Sequence, residues 1–209
     1  MKVISNRTQV IEPKARSLIQ GHGRGWVFTP RTLAALGDPR SIGMALTRLS
    51  RKGMIRQLAR GLYDYPIDHP TLGRIAPSAD AIAKALAARD ATRLQPAGTY
   101  AANILGLSEQ VPTRIVFLTD GPSRRVKIGQ REIVLKGTTP RNMATAGRKS
   151  GTIIQALRHL GQRNVDEKTL AILKRKLTDR DRAQLLKDLH YAPAWISDIL
   201  RRLAVGDTS

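Results

Sequence analysis

The chain has 209 residues, no cysteine, and 36 Lys/Arg against 16 Asp/Glu, a formal charge of +20. Disulfides and thiolate metal sites are excluded, and a polyanion becomes the first partner to consider, because neutralising phosphates releases condensed counterions. No apolar run reaches membrane-span length, and the opening "MKVISNRTQVIEPK" lacks a signal-peptide apolar core, so a cytoplasmic location and no membrane partner are expected.

A first helix is expected over 13–20, with Ala15, Leu18 and Ile19 on one face. Trp26–Phe28 reads as a short strand. Thr29-Pro30 is a helix start signal, a hydroxyl cap followed by proline at the first helical position, and opens "PRTLAAL". Gly37 is expected to end that helix in the left-handed conformation. Asp38-Pro39 repeats the signal for a second helix, which Gly53 stops. Within it Ile42, Ala45, Leu46 and Leu49 fall at i, i+3, i+4 and i+7 and form a buried stripe. Ser41, Met44, Thr47, Arg48, Arg51 and Lys52 share the other side, with Arg40 and Ser41 in the first turn. Met54–Ala59 and Leu62–Tyr65 are the arms of a hairpin whose turn, Arg60-Gly61, needs positive φ at the glycine.

Helix, strand, helix, helix, strand, strand is the order of a winged helix-turn-helix, so residues 1–66 are expected to bind double-stranded DNA. They hold 12 cations against 3 acids, which makes them the more basic part of the chain per residue. Arg40 or Arg48 can pair bidentately with guanine, and Ser41 or Thr47 can contact several bases. Arg51 and Lys52 are placed for phosphates, and Arg60 for phosphate or minor groove from the hairpin tip. Arg56 is placed equally well for DNA or for solvent. Tyr63 and Tyr65 read as framework.

Three prolines and a glycine over 64–78 predict a connector at 67–77, ahead of a second domain over 78–209. That domain is expected to be mixed α/β and mostly helical, which makes the whole chain α+β. It opens with a helix near 78–90, carries strands in "RIVFLTDG" and "RRVKIGQREIVLKGT", and ends in helices near 150–161, 166–177, 179–190 and 193–204. Trp195, Ile196, Ile199, Leu200 and Leu203 form a stripe that is either core or dimer seam. Arg124 and Arg125, with Lys127, Arg131, Lys136 and Arg141, give the strand region a basic character. It is expected to add a second phosphate surface or to help paired molecules bind adjacent half-sites, cooperatively or as a homodimer.

No catalytic residue, cofactor or metal is expected. "GPSRR" lacks the strand–turn–helix setting of a nucleophile elbow, and no GxxxxGK[ST] phosphate loop occurs. His22, His69, His159 and His190 have no metal-ligand spacing. Asp179 and Asp181 read as first-turn acids complementing a helix dipole.

The block "WVFTPRTLAALGDPRSIGMALTRLSRKGMIRQLARGLYDYP", with its apolar strand, helix pair, "aLxrLxrkGxIxxLaRGlY" pattern and proline after the hairpin, resembles the N-terminal domain of the AbiEi family. These are antitoxins of type IV toxin–antitoxin systems. The resemblance implies a repressor that binds operator inverted repeats and counteracts a nucleotidyltransferase-like toxin without a stable complex. It places DNA contacts on Thr29, Arg31, Arg40, Ser41, Arg48, Arg51, Lys52 and Arg60. The ending "LTDRDRAQLLKDLHYAPAWISDILRRL" resembles the ends of AbiEi-like proteins more loosely. The competing expectation is an antitoxin or adaptor acting by protein contact through its C-terminal domain, with DNA binding secondary.

Overall fold

The structure is a computed structural model that describes residues 3–205, with side chains from residue 11 onward. The fold is mixed α+β with several small sheets, in two compact units, Met1–Thr92 and Arg93–Ser209.

The first unit runs α1 (Val3–His22), β1 (Val27–Phe28), a 3₁₀ segment (Pro30–Leu36), α2 (Pro39–Arg51), β2 (Arg56–Ala59), β3 (Leu62–Asp64), β4 (Ile67–His69), β5 (Gly73–Ile75) and α3 (Ala79–Asp90). α1 passes through Pro13 rather than starting there. Burial of Ile11, Ala15 and Ile19, spaced four apart, continues across the proline and outweighs the lost backbone bond. Leu18, expected on that face, is 37% exposed. The core joins these residues to Phe28, Leu33, Ile42, Ala45, Leu46, Leu49 and Ile55. Each Leu- or Ile-sized side chain so buried contributes about 1.5–3 kcal/mol.

β1, β3 and β2 form an antiparallel sheet with β3 in the centre. The register slips between Gln57 and Ala59, and Gly61 alone in the turn has positive φ, 71°. Gly37 is extended, with φ 160° and ψ −168°, not left-handed. Its lack of a side chain serves packing instead, because a Cβ would stand 2.6 Å from Ile11 Cδ1.

The segment expected as a connector folds as the β4–β5 hairpin, with Ile67 opposite Ile75 and Asp68 opposite Arg74. Arg24 ties it down by donating to the Pro66 carbonyl (2.8 Å) and to Asp68 (2.6 Å), while Arg74 donates to the Gly53 carbonyl (2.9 Å). α3, capped by Ser78 accepting from the Ala81 amide, packs on β1 and the 3₁₀ segment. The division between units therefore follows α3 rather than preceding it.

The second unit runs β6 (Leu94–Ala97), α4 (Gly98–Ile104), β7 (Arg114–Thr119), β8 (Arg124–Ile128), β9 (Arg131–Gly137), α5 (Pro140–Met143), α6 (Lys149–Leu160), α7 (Glu167–Arg175), α8 (Asp179–Lys187) and α9 (Ala194–Ala204). Its sheet order is β6-β7-β9-β8, with β7 and β9 parallel and the outer pairs antiparallel. Pro96 is tolerated because β6 is an edge strand. Ile196, Ile199, Leu200 and Leu203 join residues of α4, α6, α7 and α8 in one core, with Trp195 packed against it, so the stripe on α9 is core. Two carboxylates pin the helices. Asp188 is buried and accepts from Arg148 (2.6 Å), Ser150 and Gln184 (3.1 Å). Asp181 caps α8 through Thr178 and accepts from Lys149 (2.7 Å), so the first-turn role expected of it is joined by a helix-to-helix tie.

Candidate nucleic-acid interface

The N-terminus of α2 is fixed by Asp38, whose carboxylate accepts from the amides of Arg40 (3.1 Å) and Ser41 (3.0 Å), with Pro39 in the first helical position. Hydrogen bonds from Ser41, side chain first and then backbone, hold the Asp38 carboxyl below its ordinary pKa. At the other end Gly53, φ 70°, donates to the Ser50 carbonyl and Met54 donates to the Leu49 carbonyl. This is a Schellman ending, and it turns the chain into the β2–β3 hairpin. Local sequence thus fixes both ends of the helix and the direction in which its faces point.

Ile42, Ala45, Leu46 and Leu49 are buried as the spacing predicts. Arg40, Thr47, Arg48, Arg51 and Lys52 are exposed on the outer side, and Met44 is half-buried. Arg40, Arg51, Arg31 and the hairpin-tip Arg60 have no ion pair or side-chain hydrogen bond among the described residues. Arg48 and Lys52 are different. Both engage Glu12 of α1, Arg48 at 3.9 Å, and so carry a counterion within the chain. The Thr47 hydroxyl donates back to the Gly43 carbonyl at 2.9 Å.

Three expected contact residues need correction. Ser41 is buried because it lies one turn before Ala45 and two before Leu49, inside the buried sector rather than opposite it. Thr29 is buried and its hydroxyl faces that of Thr32. Arg56 belongs to the fold. It donates to Asp64 through Nε (3.1 Å) and Nη2 (2.6 Å), and from Nη2 to the Ile75 carbonyl (2.9 Å). The bond to Asp64 raises the pKa of the guanidinium, and the Asp64 side chain is only 1% exposed. Tyr63 and Tyr65 pack against the core, and burial raises the Tyr63 pKa. Trp26 stacks between His22 and Phe28, with centroids at 3.8 and 4.6 Å.

In the second unit Arg124 and Arg125 are neighbours on β8, the first half-buried and the second exposed. Both line an open cleft of about 440 Å³ with Arg114, Ser123 and Lys136. Sequence reasoning missed Arg114 and Arg89; the latter lies on α3, beside Thr29, Pro30, Arg31 and Gly61. Nothing local to Arg89 could signal that neighbourhood, which tertiary packing of α3 creates. Among the described residues no cluster of three His, Asp or Glu could hold a metal, and no helix is long and apolar enough to cross a membrane.

Comparison with solved structures finds the RV2827C protein from Mycobacterium tuberculosis, 18% identical over 92% of this chain and 77% of that chain, with a TM-score of 0.46. No curated protein matches. Residues 14–185 match a family model described as a family of unknown function. That match spans most of the chain, which therefore belongs to the DUF6088 family.

Proposed function

We propose that the protein is a sequence-specific DNA-binding transcriptional repressor whose first unit works as a winged helix-turn-helix. In this reading α2 is the recognition helix and the β2–β3 hairpin is the wing. The observation that carries it is the outer face of α2. Arg40 and Arg51 stand there with no ion pair or side-chain hydrogen bond among the described residues, on a helix capped at both ends, and Arg60, likewise without one among them, occupies the tip of the hairpin that follows. Arg40 serves base recognition, and Arg51 and Arg60 serve phosphates. The protein is not an enzyme in this proposal.

The finer reading is an antitoxin of a type IV toxin–antitoxin system, autoregulating its operon through inverted repeats and opposing a nucleotidyltransferase-like toxin without a stable complex. The resemblance of residues 26–66 to AbiEi antitoxins supports that part. A gel shift with the DNA upstream of the gene tests the core of the proposal. Wild type is expected to shift an inverted repeat in preference to scrambled duplex. Arg40→Ala is expected to cost about 1–3 kcal/mol and relax base preference, whereas Arg60→Ala weakens all duplexes alike. Absence of a specific shift refutes the repressor; wild-type affinity in both variants refutes the assigned face.

A further inference from the structure

A shallow cleft of about 310 Å³ opens in the first unit, lined by Thr29, Pro30, Arg31, Gly61 and Arg89, with no carboxylate on its walls. Its two cations arrive from different elements. Arg31 follows Pro30 at the start of the 3₁₀ segment, and Arg89 lies in the last turn of α3. Both supports are anchored by buried side chains. Thr29 and Leu33 are buried beneath the first, and α3 buries Ile82, Ala83, Leu86 and Ala87 beneath the second. At Gly61 a Cβ would meet nothing within 4 Å, so the mouth of the cleft is open on the hairpin side.

The two guanidiniums are exposed, and neither has an ion pair or side-chain hydrogen bond among the described residues. Arg40, Arg51 and Arg60 share that lack of a partner, whereas five other cations of this unit have a carboxylate partner. Arg24 and Arg74 engage Asp68, Arg48 and Lys52 share Glu12, and Arg56 holds Asp64. No carboxylate is among the residues lining the cavity, so two like charges share its walls. Planar guanidiniums set on two sides of a small cleft suit a group with several anionic oxygens, to which each can donate two bonds.

We propose that this cleft is an oxyanion site that takes a phosphate group, supplied by a nucleic-acid backbone. The oxyanion chemistry stands on the cleft alone; the choice of source rests on the DNA-binding reading, because Gly61 belongs to the hairpin assigned there as the wing. The site recruits Arg89, a residue outside the helix–hairpin block, into backbone binding. It would fix where a strand passes the wing without reading bases.

The test compares the full chain with R31Q, R89Q, the double variant R31Q/R89Q and the charge-preserving R31K/R89K. One arm measures fluorescence anisotropy on a labelled random-sequence duplex over a salt series. In about 0.1 M salt the double glutamine variant is expected to bind roughly tenfold more weakly, and its slope of log K against log salt to lose about one unit. R31K/R89K keeps the slope, which separates lost charge from lost fold. A second arm follows thermal melting with inorganic phosphate against chloride at matched ionic strength. Duplex binding by wild type with unchanged affinity and slope in R31Q/R89Q overturns the nucleic-acid source while leaving the repressor reading intact. Absence of duplex binding by wild type overturns the repressor reading instead. In either case a phosphate-induced rise in melting temperature that R31Q/R89Q loses supports the oxyanion site with free phosphate as its ligand. No rise, with no duplex effect, overturns the site.

Discussion

Asp181 provides a quantitative check on how the second unit is held together. Its carboxylate accepts from Lys149 Nζ at 2.7 Å and from the backbone and hydroxyl of Thr178 at 2.9 and 2.8 Å. The Lys149 bond first, then those from Thr178, lower its pKa from 3.8 to about 2. That interval corresponds to at most about 2.4 kcal/mol of stability. With 23% of the side chain still reached by solvent, screening reduces the expected value to about 1–2 kcal/mol. Because the folded pKa is depressed, the contribution is complete above the unfolded value and lost as pH falls through the folded one. Asp181→Asn keeps the shape and removes the charge. In urea unfolding followed by circular dichroism, the variant is expected to be about 1–2 kcal/mol less stable than wild type near pH 7. The gap should close between about pH 4 and pH 2. Asp38, Asp120 and Asp166, also lowered, are common to both proteins and cancel in the difference. A gap that is flat with pH, or absent at pH 7, would show that the Lys149–Asp181 tie does not act as argued.

Arg56→Ala leaves the Asp64 carboxylate buried without its partner and is expected to cost about 3–5 kcal/mol in thermal unfolding; a loss below about 1 kcal/mol removes the pair from the fold's supports. Gly37→Ala brings a Cβ against Ile11 Cδ1 and is expected to cost about 1–2 kcal/mol, most of it recovered in Gly37→Ala/Ile11→Val. Equal stability of the single and double variants would mean that the strain lies elsewhere.

What could be read from the sequence was punctuation and period. Thr29-Pro30, Asp38-Pro39 and Gly53 mark element ends by local chemistry, and the stripe on α2 follows from spacing alone. Sorting that helix by residue type nevertheless misplaced Ser41, because geometry buries a small polar residue that shares a row with Ala45. β6 and the β4–β5 hairpin were hidden by prolines, which edge strands and turns admit. The ion pairs were out of reach for a different reason. Glu12 meets Lys52 across 40 residues, and Arg148 meets Asp188 across another 40. No local signal specifies such partners. The same holds for Arg89, whose place beside Arg31 depends on how α3 docks.

Glu12 bears on more than packing. Two exposed cations, Arg48 of α2 and Lys52 at its C-cap, already have their counterion built into the polypeptide, so they hold fewer salt ions in the unliganded protein than their number suggests. A polyanion landing on this face would first have to evict a carboxylate that cannot diffuse away, and the exchange would return little mixing entropy to the solvent. Counting surface arginines and lysines therefore overstates how steeply association should weaken with ionic strength. For any such polyanion, α1 would be an internal competitor, since its Glu12 already holds that face's two cations.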